Sequence, residues 1–185
     1  LKSWIKPTQS YGLDILPGST GDAFFSLNIY KFAASVGVNV TELLQTYVIE
    51  PLRDSYDVIL IDCGPHFDAI VLNVMQAADA LLVPVGLDPL EFDSMLKYID
   101  RLVDLYETIP NPNLDIEQIK FLAVKYNQSN PIHTDNFQLL QRTYPGHVLS
   151  QKIEDLRPFA SVFDDNRTVY TMLPKYYSGD TRSLK

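Results

Sequence analysis

The sequence predicts an α/β fold: three layers, with a mostly parallel sheet and helices on both faces. Two observations carry this. Val58–Ile61 and Ala80–Val85 are apolar runs of the kind found in strands covered on both faces, where an exposed edge strand would alternate. Segments of helical period lie between such runs. That alternation is the pattern of a parallel sheet joined by right-handed crossovers.

The elements follow in order. Gly12–Leu16, GLDIL, is a short strand candidate stopped by Pro17-Gly18. Ser19 and Thr20 are possible caps for a helix near 20–34, and Thr41 for a helix over 42–52. Val58–Ile61 is the next strand, and Phe67–Ala77 reads as helical. Ala80–Val85 follows, with Pro84 expected where its pairing finishes, because proline cannot donate to the ladder. Pro89–Tyr106 is the clearest helix. Phe92, Met95, Leu96, Ile99, Leu102, Val103 and Tyr106 form one face at steps of three and four, and Pro110-Asn111-Pro112-Asn113 ends it. Ile119–Val124 is a strand, Ile132–Arg142 a helix, Gly146–Leu149 a short strand and Leu156–Phe163 a further helix.

Composition sets bounds. The chain has 185 residues, 46% of them hydrophobic, and reads as a single α/β domain over 1–185. A chain of that length buries roughly 70% of its unfolded surface without staples. One cysteine excludes a disulfide framework and a cysteine-rich zinc site, and suits a cytoplasmic setting. There is no apolar run long enough to span a membrane and no signal-peptide pattern in these residues. A net charge of −8 argues against a strong nucleic-acid footprint on this stretch. The opening, LKSWIKPTQSYG, reads like the interior of a longer protein.

Asp62 stands out. It ends the apolar run in YDVILIDCGPHFDAIV. In an open α/β sheet, ligands bind outside the carboxyl ends of the strands. A buried carboxylate there needs a partner, and a hydrated magnesium ion on a phosphate is a good one. This is the chemistry of a Walker B element. Asp62 as a cap for the following turn or helix is the alternative. Cys63 and His66 have C-x-x-H spacing but no second pair to complete a zinc site, and nothing in the sequence brings His133 or His147 to Cys63 as a base.

Beyond Asp62 come Pro65, Asn73, Ala77-Ala78-Asp79 and Pro84-Val85. In that order and spacing they resemble the ParA/Soj/MinD family of deviant Walker A ATPases, and within it the plasmid-partition ParA proteins. IKPTQSYGLDILPGS and the ending YYSGDTRSLK fit the same resemblance, which covers nearly the whole chain. It implies a P-loop NTPase-like fold missing the Walker A strand, as the C-terminal portion of a longer ParA-like ATPase. It also implies roles. Asp62 would hold the water shell of Mg²⁺, and Gly64 and Pro65 would belong to the switch that senses the γ-phosphate. Tyr126 and Asn127 would lie on the adenine side, with Ile153–Phe159 lining the same pocket. The complete protein would use ATP and Mg²⁺, dimerise, coat DNA non-specifically in the nucleoid, and answer to a ParB-like centromere-binding partner. A membrane-binding, MinD-like role fits less well, because the tail MLPKYYSGDTRSLK lacks an apolar helical face.

The family's phosphate cradle is absent. No G-x-x-x-x-G-K-S/T or K-G-G-x-G-K run occurs. The chain alone is therefore expected neither to hydrolyse ATP nor to bind it tightly. The alternative is a non-enzymatic, ParA-like interaction module. Since the missing strand normally separates the Walker B strand from ALLVPV, Val58–Ile61 is expected either to pair directly with Leu81–Val85 or to leave the gap to a partner.

Overall fold

The computed structural model describes residues 1–8, 10, 12–18, 25–64, 66–109 and 111–155, the side chains of Phe25 and Ser26 excepted. The chain forms two compact units, Leu1–Asp79 with Arg101–Asp115, and Ala80–Asp100 with Ile116–Lys185.

The first unit opens with a small antiparallel hairpin, β1 (Lys6–Pro7) and β2 (Asp14–Ile15), fastened by Tyr56 Oη donating to Asp14 Oδ2 at 2.7 Å. Helix α1 covers Phe25–Val36. The helix expected over 42–52 is broken into a 3₁₀ turn (Val40–Glu42), a π turn (Gln45–Ile49) and the short α2 (Glu50–Leu52). Pro51 explains the π turn. It has no N–H to give the carbonyl four residues back, and the ladder slips so that Glu50 N–H bonds to Gln45 O. The cap of this run is Asn39 rather than Thr41, with Asn39 Oδ1 accepting from Thr41 N at 3.1 Å. Ser19 and Thr20 lie outside the described residues.

Helix α3 (Ala69–Ala77) is capped by Asp68, whose Oδ1 accepts from Ile70 N and Val71 N. Capping is thus the work of Asp68, not Asp62. At the other end, Asn111 Nδ2 donates to Met75 O and Ala78 O, at 2.7 and 2.9 Å. Asn73 is buried in the middle of α3. It accepts from Leu44 N and donates to Val40 O and Ala69 O, tying the broken helical run to α3. Leu43, Ile49, Leu52, Val71, Val74 and Met75 belong to this unit's core.

The second unit holds a three-stranded parallel sheet, ordered β3-β4-β5, with helices around it. Its strands are β3 (Leu81–Gly86), β4 (Ile119–Tyr126) and β5 (Val148–Glu154). Helix α4 covers Pro89–Thr108, and α5 covers Pro131–Thr143, with Asn130 as its cap and Pro131 in its first turn. Val85, Ala123, Ile99 and Leu140 are fully buried in this unit. Pro84 does not mark the end of pairing. Val85 and Gly86 still pair with Ala123 and Val124. Proline is tolerated mid-strand because β4 is the one neighbour of β3 among the described residues.

One strand expectation fails. Val58–Ile61 forms no strand, and Val58 and Leu60 are 71% and 89% exposed. An extended segment counts as a strand only when a neighbour completes its ladder, and none of the described residues does so. Nor does it pair with Leu81–Val85, whose register is with β4 alone. The helix expected over 156–163 lies outside the described residues.

Candidate functional site

Asp62 lies in the first unit, exposed and outside any helix or strand of the described residues. Its electrostatic neighbour is Cys63. Partial burial pushes that thiol up, and the charges of Asp62 and then Asp68 push it further. Gly64 is exposed too, with open space where a Cβ would stand, and Pro65 lies outside the described residues. Asp62 offers hard, water-accessible oxygens, the donor type that meets magnesium through its hydration shell. Among the described residues no three or more His, Cys, Asp or Glu side chains gather as a protein-built metal cage would need. Asp62 thus stands as a single exposed carboxylate rather than as part of a cage.

Tyr126 and Asn127 lie in the second unit, at the carboxyl end of β4, where an α/β sheet presents its ligand site. Tyr126 is half-buried, and its ring borders those of His133 and Phe137. Its hydroxyl is 3.3 Å from Thr134 Oγ1, and Lys152 Nζ stands 4.7 Å over the ring. The segment expected beside it arrives as the end of β5. Glu154 is in register with Tyr126, and Asp155 N donates to Tyr126 O at 3.2 Å. Residues 156–159 of that segment lie outside the described residues.

Asn127 follows a β-bulge. Ala123 pairs with Lys152 and Tyr126 with Glu154, so β4 spends one more residue than β5 over this step. Lys125, inside the bulge, has φ 53, a left-handed conformation uncommon for a residue with a Cβ. Lys125 Nζ lies 2.8 Å from Glu91 Oε1 in the first turn of α4. The hydrogen bond that Lys125 donates to Glu91, then the Glu91 charge, hold the Lys125 ammonium above the ordinary lysine range. The Glu91 side chain folds over Gly86, leaving no room for a Cβ there. Glycine is thus required at the carboxyl end of β3 if the ion pair is to keep this path.

Sequence reasoning names Tyr126 and Asn127 but misses the residues that hold them. His133 Nδ1 accepts from Asn127 N at 3.1 Å, and His133 Nε2 is 3.1 Å from Asp88 Oδ1. Asn136 Nδ2 donates to Leu87 O at 2.9 Å. One signal was available. His133 and Asn136 fall in the first two turns of a helix announced by Asn130-Pro131, directly after a strand that ends at a candidate site.

Comparison with known proteins agrees with this architecture. Residues 1–116 match the family described as AAA domain. The chain is 29% identical over its whole length to plasmid partition protein A of Escherichia coli, of which it spans 47%. It is 32% identical, over 68% of its length, to protein SopA of Escherichia coli K12, spanning 32% of that protein. Cell division protein PomZ of Myxococcus xanthus is 25% identical over 68% of the chain. A solved structure titled "Partition Protein" superposes with a TM-score of 0.71 at 28% identity, over 97% of this chain and 51% of that one. The chain thus spans about half, or less, of the length of these relatives.

Proposed function

This chain belongs to the AAA domain family of ParA-like proteins, and from that premise we propose that it is part of a plasmid- or chromosome-partition ATPase. It carries the Walker B and switch side of a Mg-ATP site. The observation that supports this best is the end-to-end likeness to plasmid partition protein A, together with a superposition covering 97% of the chain.

The roles of the chain's own residues follow from their chemistry. Asp62 would hold the water shell of a nucleotide-bound magnesium ion, which would supply charge neutralisation at the phosphates. Gly64 and Pro65 would belong to the switch segment that senses the γ-phosphate. Tyr126 presents an aromatic surface and Asn127 an amide, a pair suited to a purine base. ATP, a second copy, DNA and a ParB-like partner act on the complete protein.

Phosphoryl transfer needs backbone amides and lysines around the phosphates, and the sequence holds no such Gly-rich run. The polypeptide alone therefore does not bind Mg-ATP tightly. Isothermal titration of Mg-ATP into it should give no heat at micromolar nucleotide, and micromolar affinity would overturn this assignment of labour. A non-enzymatic ParA-like module is the second reading, and the same missing run favours it. The coding sequence upstream of Leu1 separates the two. A K-G-G-x-G-K loop there supports the ATPase; a start codon supports the module.

A further inference from the structure

His133 is 5% exposed, yet both its ring nitrogens have partners. The Asn127 N–H can only donate, so Nδ1, at 3.1 Å, must hold a lone pair. The proton of the neutral ring then sits on Nε2 and points to Asp88 Oδ1, also at 3.1 Å. The arrangement has a direction. Asp88 fixes the ring, and the ring fixes the backbone of Asn127.

Two strands end and a helix begins here: Asp88 follows β3, Asn127 follows β4, and His133 lies in the first turn of α5. The backbone being held is irregular, coming directly after the bulge and the left-handed Lys125. Asn127 Oδ1 is also taken, accepting from Ser129 N at 2.9 Å. With N–H and Oδ1 committed, and no partner for Nδ2 among the described residues, the Asn127 side-chain NH₂ is the group left to meet a ligand acceptor, such as a ring nitrogen of a purine. An apolar ring in place of His133 would fill the space beside Tyr126 but leave the Asn127 N–H without its acceptor.

We propose that Asp88 and His133 are positioning residues that set the β4–α5 turn, Asn127 to Asn130, for contact with a nucleotide base. The proposal rests on the base-side reading of Tyr126 and Asn127.

The test is solution NMR on the whole chain, with AMP as the probe because it needs no γ-phosphate cradle. Long-range ¹H–¹⁵N spectra should show His133 protonated at Nε2 and not at Nδ1 at neutral pH. The Asn127 amide should exchange about 10-fold faster in His133→Leu, the factor that losing roughly 1.4 kcal/mol gives. His133→Asn places a carbonyl oxygen near the Nδ1 position and should restore most of the protection. His133→Gln reaches toward Asp88 instead and should not. Millimolar AMP should shift the Asn127 and Ser129 amides in the wild type and in His133→Asn more than in His133→Gln. An Nδ1-protonated ring, or equal Asn127 exchange in all variants, would overturn the positioning pair. A normal tautomer and exchange pattern with no AMP response in the wild type would instead overturn the base-side reading and the role resting on it. If His133→Leu does not fold, the Asn and Gln variants carry the comparison.

Discussion

Replacing Asn73 with alanine should be among the most damaging single changes in the first unit. Its side chain is 5% exposed and makes three hydrogen bonds: from Leu44 N at 2.9 Å, to Val40 O at 2.7 Å and to Ala69 O at 2.7 Å. Each is worth about 1 kcal/mol net. The Ala69 carbonyl lies four residues back in the same helix and suffers least. The Leu44 N–H suffers most, because the broken helical run around it offers no regular ladder to take it over. The sum is about 2–4 kcal/mol, or roughly 5–15 °C in Tm for a chain of this size. Asn73→Asp sharpens the test. It keeps the acceptor for Leu44 N–H but faces two carbonyl oxygens with a carboxylate, and should be at least as harmful at neutral pH and milder near pH 4, where protonation restores a donor. Thermal and urea unfolding followed by circular dichroism would measure both. A loss below about 0.5 kcal/mol for Asn73→Ala would refute the view that this side chain joins the helical run to α3.

Three further outcomes are expected. Asp68→Ala should destabilise by about 1 kcal/mol by removing the cap of α3, seen as a lower urea midpoint with an unchanged m-value. Glu91→Gln should remove the contact that raises Lys125. That contribution is complete below the unfolded lysine pKa, about 10.4, and is lost as pH rises through the higher folded value. The difference in urea midpoint between wild type and variant should thus be present at pH 8, fade in strong alkali, and shrink in 1 M salt on screening of so exposed a pair, roughly 3 Å being the Debye length there. Asp62→Asn should lower the Cys63 thiol toward its ordinary range and speed its alkylation at pH 8, since the Asp62 charge is one cause of its upward shift. An unchanged rate would show that the two side chains do not face one another in solution.

What was legible in the sequence depended on where each element's partners lie. Ala80–Val85 and Ile119–Val124 read correctly to within a residue or two, because each finds its ladder inside the chain, as Leu81–Gly86 and Ile119–Tyr126. The amphipathic stripe of α4 was equally plain, since Phe92, Ile99 and Leu102 do turn inward. Val58–Ile61 carries as strong an apolar pattern and forms no strand. Apolarity records what a segment could bury, not whether a neighbour is at hand. The π turn was hidden because it comes from the absent N–H of Pro51, which a periodicity count treats as a simple break. In the candidate site, residue types marked Tyr126 and Asn127. Glu91 and Asp88 act across 34 and 45 residues, which spacing along the chain does not display, whereas His133 stands six residues from Asn127.

The exposure of Val58 and Leu60 has a practical side. The stretch VILI is rich in β-branched residues, uncharged and free of proline, the composition that self-associates into intermolecular sheet. Purified at high concentration, this polypeptide should aggregate through that segment. A single lysine at Leu60 should act as a gatekeeper and improve its solubility at little loss of stability, because the side chain it replaces is already in water.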